Sequence, residues 1–223
     1  MSFVINPMPA QVPAAIIAKL SKVETATVGH TRNWGFMDRQ IQGVIAGRRA
    51  AGTAVTVQCP GQDSAILHHA LGMLRPGDVL VVDRMGENRH ACVGGGVALA
   101  AKLAGCVAAV VDGPCTDFSE LRMHDFPVWC RGPSPITTRV YATGGSLNIA
   151  VGCGGVPVRP GDAVVLDESG VLVLPPEEAE AVADAALARQ EREKDLWAKL
   201  RAGAKIGDLS GASAKILAAM GKG

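Results

Sequence analysis

Between residues 50 and 130 the chain alternates short apolar, β-branched runs with stretches whose apolar positions recur every three or four residues. Gly52-Thr-Ala-Val-Thr-Val-Gln58, Val79-Leu-Val-Val82 and Val107–Val111 have the composition of buried strands, the last two closed by Asp83 and Asp112. Between them, Asp63–Leu74, roughly Gly96–Ala104 and Asp117–Met123 carry helical spacing, with Asp63 or Ser64 as the cap of the first. Pro127–Cys130 adds a short strand. Upstream, residues 10–22 predict a short helix with Ile16, Ile17 and Leu20 on one face, followed by a loop around His30–Asp38. Downstream, roughly 130–174 reads as strands and turns without a helix. Pro175-Pro176 then opens a long helix whose apolar positions 179, 182, 183, 186 and 187 share a face, and 201–223 reads as a short helix and a loose end. Strand–helix alternation followed by β-rich chain predicts an α/β fold. Residues 1–175 form one domain in this reading, and 176–223 a helical extension.

One segment recurs. Arg75-Pro-Gly-Asp-Val-Leu-Val-Val-Asp83 is echoed 84 residues later by Arg159-Pro-Gly-Asp-Ala-Val-Val-Leu-Asp167. A Pro-Gly turn that launches a buried strand explains both copies without a duplicated domain.

Composition narrows the function classes. Of 223 residues, 48% are apolar and 19% charged, enough for a sizeable core and against disorder. Lys+Arg (22) nearly balances Asp+Glu (21), so no field of one sign draws nucleic acid or an anionic membrane. The apolar stretch near Val97–Val111 is broken by Lys102 and Gly105, and the N-terminal residues lack a charged leader, so neither a membrane span nor a secretory signal is expected. The expected location is the cytoplasm. Six cysteines without CxxC spacing argue against both a disulfide framework and a zinc finger.

Candidate chemistry gathers where strands end, since open α/β sheets bind ligands there. The loop after Asp83 leads to Gly94-Gly95-Gly96, whose bare N–H groups at a helix start suit an anion, although such glycines also serve close packing. The loop after Asp112 leads to Asp117, either a hard-metal ligand or a helix cap paired with Glu120 in a capping box. Arg84, Arg89 and Arg139 are candidate cations. His90 is a candidate acid–base group or an ordinary loop histidine. Cys115 reads as a small buried residue, and His68-His69 as surface residues away from the strand ends.

Val81-Val-Asp, Gly86, Arg89-His-Ala, Gly94, Val111-Asp-Gly, Asp117, Leu121-Arg, Phe126-Pro-Val, Arg131-Gly, Gly152-Cys-Gly-Gly-Val and Pro160-Gly-Asp together resemble one family. It is the RraA-like family, which unites the regulator of ribonuclease activity A with the 4-hydroxy-4-methyl-2-oxoglutarate and 4-carboxy-4-hydroxy-2-oxoadipate aldolases. The similarity spans roughly residues 30–175, and the long C-terminal helix is similar to that of the aldolase branch. The resemblance implies a compact fold with a β/β/α, swivelling-domain-like core, assembled as a homotrimer or homohexamer. It further implies a divalent metal, Mg2+ or Mn2+, that polarises the keto group of a small 2-oxo or hydroxy carboxylate during retro-aldol cleavage or decarboxylation. By motif, Asp117 matches the metal ligand, and Gly94, Gly95, Gly96 and Val97 match the backbone loop that holds the substrate carboxylate. Arg89 and Asp112 match recurring positions nearby.

Two positions depart from the pattern. Thr116 stands where the aldolases place an arginine against the bound substrate, and Gly95 stands where the loop carries an acid. Thr116 therefore enters the expected site as a neutral group. These losses keep a second function open: a non-catalytic, partner-binding regulator, or an enzyme of altered substrate. On the C-terminal helix, Glu193 lies about 40° from the centre of the stripe through Val182, Ala186 and Trp197, whereas Glu191 lies about 120° away. In the aldolase branch a neighbouring subunit's glutamate approaches the metal through water. Glu193 is expected in that role, or in a salt bridge to Lys194 or an arginine.

Overall fold

A computed structural model describes residues 2–221. Strand β1 (Phe3–Ile5), helices α1 (Ala14–Leu20) and α2 (Thr25–Gly29), and the short strand β2 (Gln42–Gly43) come first. A βαβ series follows: β3 (Ala50–Gln58), α3 (Ala65–Leu71), β4 (Asp78–Asp83), α4 (Gly95–Leu103), β5 (Ala108–Val111), α5 (Phe118–Met123) and β6 (Val128–Cys130). Strands β7 (Gly145–Leu147), β8 (Val151–Cys153), β9 (Val156–Val158), β10 (Ala163–Asp167) and β11 (Gly170–Leu174) precede α6 (Pro176–Arg201), α7 (Ile206–Leu209) and α8 (Ala212–Ala219).

Strands β3, β4, β5 and β6 pair in parallel, as three consecutive crossover helices require. Side chains on a strand alternate between faces. Leu80, Val82, Ala109 and Val111 meet Ile66, Leu67, Ala98, Ala101 and Leu121 of α3–α5. Their neighbours Val79, Val81, Ala108 and Val110 pack instead on β8, β9, β10 and β11 through Val151, Val158, Val164 and Val171. Helices, central sheet and a second β layer thus form the expected β/β/α core. The β10–β11 ribbon also turns Val165, Leu172 and Leu174 toward Leu20 of α1 and Ala179, Ala183 and Ala186 of α6. Here α6 packs its small residues against the body, which explains their spacing. Among the described residues no helix is long and apolar enough to cross a membrane.

The recurring segment is one turn used on both sides of β3. Asp78 and Ala163 each pair with Thr53, β4 running parallel and β10 antiparallel to β3. In each turn the aspartate accepts a hydrogen bond from the arginine N–H at 2.8 Å, Arg75 to Asp78 and Arg159 to Asp162. Each turn also needs glycine at positive φ, +87° at Gly77 and +94° at Gly161.

Two elements carry no local pattern in the sequence. β1 exists because it pairs with β7, 142 residues away. α2 is held by Asp167, whose carboxylate accepts from the N–H and hydroxyl of Thr25 at 2.7 Å each. Residues 201–223, expected as one short helix and a loose end, contain two helices, α7 and α8.

Candidate functional site

The loops after β3, β4, β5 and β6 meet at the carboxyl ends of the parallel strands and enclose a cavity of about 390 Å3. Each loop contributes a wall. Ser64, His68 and Leu71 come from the start and inner face of α3; Ala91, Cys92, Gly94–Val97 and Ala100 from the loop and start of α4; Thr116 and Asp117 from the β5–α5 loop. The segment after β6 supplies Thr137, Thr138 and Val140. That segment crosses the other three loops on its way to β7. Cys115 N–H donates to Gly132, Ala91 N–H to Ile136, and Ser64 N–H to Arg139. Asp63 pins its far end, accepting from the N–H groups of Tyr141 (3.0 Å) and Thr143 (2.6 Å) and from the Thr143 hydroxyl (2.8 Å).

Asp117 does not cap α5 with its side chain. It sits in the left-handed region (φ +54°), a conformation aspartate tolerates better than most residues. Its backbone carbonyl accepts from Glu120 N–H, while its carboxylate turns toward the glycine loop. There Oδ2 accepts from Gly95 N–H at 3.2 Å and Oδ1 accepts from the Thr116 hydroxyl at 3.0 Å. The capping-box alternative is therefore overturned: Asp117 faces the cavity, and Glu120 lies over Gly95 rather than folding back on the cap.

The three glycines have separate reasons. A Cβ at Gly94 would stand 2.5 Å from Asp117 Oδ2, and one at Gly95 would collide with the Glu120 carboxylate. At Gly96 it would meet open space. So Gly94 and Gly95 serve the approach of two carboxylates, and Gly96 leaves backbone bare toward the cavity. The first bond within α4 runs from Ala98 N–H to Gly94, which leaves Gly95, Gly96 and Val97 N–H without helical acceptors. Asp117 takes the first. The N–H groups of Gly96 and Val97 make no hydrogen bond among the described residues.

Other expected residues lie elsewhere. Arg89 is exposed and lines no part of the cavity; only its backbone is engaged, accepting from Ser134 Oγ. Arg84 is 0% exposed and structural: its guanidinium donates to the carbonyls of Cys59, Gly61 and His90. Arg139 donates to Thr137 and Thr138. Asp112 ties the second β layer to β5, paired with Arg131 and accepting from Gly154 N–H at 2.7 Å. His90 is a loop histidine beside Glu87. Glu193 pairs with Arg189 one turn earlier at 3.2 Å, lies 3.9 Å from His30 and does not line the cavity; Lys194 pairs with exposed Glu191 instead. His68 corrects an expectation in the other direction. It is exposed but faces the cavity, because Ser64, His68 and Leu71 fall at i, i+4 and i+7 on one face of α3. That spacing was legible in the sequence; the cavity opposite it was not.

Among the described residues the lining contains no lysine or arginine. Its charge-bearing side chains are Asp117 and His68. All six cysteines are buried and free, and burial pushes the Cys106 thiol up to about 12.

A family model described as Aldolase/RraA, RraA-like, matches residues 22–173. The chain belongs to the RraA-like family. It is 37% identical over 142 residues to a Halalkalibacterium halodurans protein named "putative 4-hydroxy-4-methyl-2-oxoglutarate aldolase", covering 64% of this chain and 67% of that one. An Alcanivorax borkumensis protein of the same name is 38% identical over 124 residues, 56% of this chain and 76% of its own. Among solved structures, Streptomyces coelicolor RraAS2, described as an unusual member of the RNase ES inhibitor RraA protein family, superposes with a TM-score of 0.73 at 27% identity, covering 85% of this chain and 97% of its own. The mixed α/β architecture with its C-terminal helix is that of the RraA-like structures.

Proposed function

We propose that this RraA-like protein is a divalent-metal-dependent carbon–carbon lyase acting on a small 2-oxo or hydroxy carboxylate. One observation carries the reading: a carboxylate and the bare N-terminus of a helix face the same cavity, 3.2 Å apart at Asp117 Oδ2 and Gly95 N. A substrate carboxylate placed on the N–H groups of Gly96 and Val97 gains from the helix dipole but meets the charge of Asp117. A cation between the two resolves that conflict. Oxygen donors and open space for water suit Mg2+ or Mn2+, which keep several waters and bind through one or two carboxylates. Among the described residues no three His, Cys, Asp or Glu side chains form a group that could hold a metal.

When bound, the metal would supply Lewis acidity toward the substrate keto oxygen. The chain's own residues do the rest. Gly96 and Val97 N–H hold and orient the carboxylate. The Thr116 hydroxyl fixes the rotamer of Asp117. Leu71, Val97, Ala100 and Val140 exclude water from one side, and His68 meets the distal end of the substrate as donor or acceptor. With Thr116 in the place of the family's arginine, no lysine or arginine among the described residues faces the substrate. This favours a substrate carrying fewer negative charges than those of the named aldolases. The site would be completed in a homotrimer or homohexamer, the start of α6 staying on its own chain while the exposed remainder of the C-terminal extension packs on a neighbouring subunit and brings Glu193 toward its metal through water.

The test is pyruvate release from a panel of 2-oxo acids with and without Mg2+ or Mn2+. Asp117→Asn should abolish turnover and any thermal stabilisation by metal, while the metal-free protein unfolds as wild type. Equal metal response in both proteins overturns the proposal. The absence of a cationic side chain in the lining also supports a second reading, a non-catalytic regulator that binds a partner; no turnover on the panel and no metal response would favour it.

A further inference from the structure

We propose that the cavity between the Arg159–Asp162 turn and Trp34 is a second binding site, for a small zwitterion: an α-amino acid with an apolar side chain. This cavity, of about 290 Å3, is walled by four segments: the loop after α2 with Trp34, β9 with Val156 and Pro157, the turn that follows β9, and the start of α6 with Glu178. It shares no lining residue with the cavity at Asp117 and stands independently of the lyase reading.

The recurring segment supplies an internal comparison. Both turns bond their aspartate to the arginine N–H. In the first, the Arg75 guanidinium also folds back on Asp78, at 3.2 Å to each carboxylate oxygen, and Gln11 adds a donor at 2.9 Å. A further bond to the Pro9 carbonyl holds Arg75 in place. In the second turn none of this occurs. Among the described residues, Asp162 Oδ2 accepts only from the Arg159 N–H, Oδ1 accepts nothing, and the Arg159 guanidinium makes no hydrogen bond or ion pair. Asp162 is nevertheless only 5% exposed and lines the cavity, so its open oxygen faces that space.

A carboxylate this buried is costly without a partner. Burial raises the Asp162 carboxyl, and the Arg159 N–H and charge offset only part of that. The other charges of the lining are already spent: Arg32 donates to Glu178 at 2.6 Å and to the Trp34 carbonyl at 3.1 Å. One anion and one cation, Asp162 and Arg159, are left over the same space, and their complement carries one charge of each sign. A ligand ammonium donates to Asp162 Oδ1, and a ligand carboxylate takes the Arg159 guanidinium, whose fork suits it in two parallel bonds. The apolar body is received by Trp34. Arg32 lies 4.6 Å from the centroid of that indole and fixes it, yet Trp34 remains 62% exposed beside Val156 and Val173. A fixed aromatic surface of this kind offers large apolar contact. A 2-oxo acid has no ammonium, so this ligand class differs from the substrate proposed for the other cavity.

The experiment measures binding of L-leucine to the full chain by calorimetry and by tryptophan fluorescence. Beside it are tested 3-methylbutylamine and 4-methylpentanoate, which keep the apolar body with only the ammonium or only the carboxylate. The variants are Asp162→Asn, Arg159→Gln and Trp34→Phe, with thermal unfolding as the check on folding. Arg159 and Trp34 are exposed, so their variants keep the test decisive even where Asp162→Asn fails to fold. Wild type should bind leucine, and each half-ligand about 10–100-fold more weakly, because one charged hydrogen-bonding partner is missing. Asp162→Asn and Arg159→Gln should each weaken leucine binding by a similar factor, while Arg159→Gln should not weaken binding of the amine. Trp34→Phe should retain binding but lose the fluorescence change, since Trp129 and Trp197 lie outside the lining. No leucine binding at millimolar concentration overturns the proposal. So does a half-ligand that binds as tightly as leucine, wild-type affinity in Arg159→Gln, or a fluorescence change that survives in Trp34→Phe.

Discussion

Asp63 does its work by holding charge where none is needed for chemistry. Burial pushes its carboxyl up, but N–H donors from Thr143, Ala65 and Tyr141 and the Thr143 hydroxyl outweigh burial and hold it well below the usual carboxylate range. A carboxyl depressed in the folded state stabilises above its unfolded value of about 3.9, and that contribution is lost as pH falls further. Wild-type stability should therefore decline below about pH 4 more steeply than that of Asp63→Asn. At pH 7 Asp63→Asn should cost about 1–3 kcal/mol, since an amide presents donors to donors. Urea denaturation across pH 3–7 checks both. The variant should also weaken turnover, because the segment that Asp63 pins carries Thr137, Thr138 and Val140. Residue types at such positions were visible in the sequence, but their partners were not. Asp63 or Ser64 read as the cap of α3; Ser64 holds that position without a side-chain bond, and Asp63 before it accepts from Ala65 N–H at 2.9 Å, while its larger role depends on a segment about 80 residues away. Asp117 and Glu120 fit a capping box by spacing alone. Only the left-handed backbone at Asp117, which spacing does not encode, sends the carboxylate elsewhere.

At the scale of elements, β3 is the hinge of the design. β4 covers one edge; the other edge is shared, β10 pairing with its first half and β7 with its last residues. Gly52 permits this. A Cβ there would lie 2.5 Å from the Gly77 carbonyl, 2.9 Å from Val79 Cγ2 and 3.0 Å from Val107 Cγ2. Gly52→Ala should therefore destabilise by about 1–3 kcal/mol through overpacking. The urea midpoint should fall with an unchanged slope, and metal response should persist in the folded protein. The central strands and helices were legible because burial on both faces demands continuous Val, Ala and Leu, and because α3–α5 each bury one face. β1 and α2 were not, because neither has a local pattern that outweighs loop; distant partners decide them. The β/β/α layering came from the family resemblance, not from periodicity, which cannot say on which side of a sheet a hairpin lies.

For the whole molecule, α4 and α5 each leave large apolar side chains exposed beside charged ones. Leu103 is 79% and Met123 72% exposed, on either side of the bond from Lys102 Nζ to the His124 carbonyl. Large apolar side chains grouped in this way mark association surfaces. The proposed homotrimer or homohexamer would bury them, a few residues from the glycine loop and Asp117. Light scattering should give three or six chains for wild type, and Leu103→Glu/Met123→Glu should shift the population to smaller species. A wild-type monomer would remove the oligomer from the proposal. Loss of turnover in a well-folded dissociated variant would mean that the neighbouring chain completes the site.

The shared edge of β3 also sets a timetable for biosynthesis. Its final strand residue is Gln58, but the β10 residues that cover its first half end at Leu166. At about 5–20 residues per second, that half waits roughly 5–20 s for its partner. During this interval β3, α3 and β4 can already fold locally, while an unpaired β edge rich in Ala, Thr and Val stays open to neighbouring chains. Phe3–Ile5 waits longer still, 142 residues, for β7. Aggregation of nascent chains, more than instability of the finished protein, is then the risk this topology carries, and slower translation after Gln58 would lengthen the exposure.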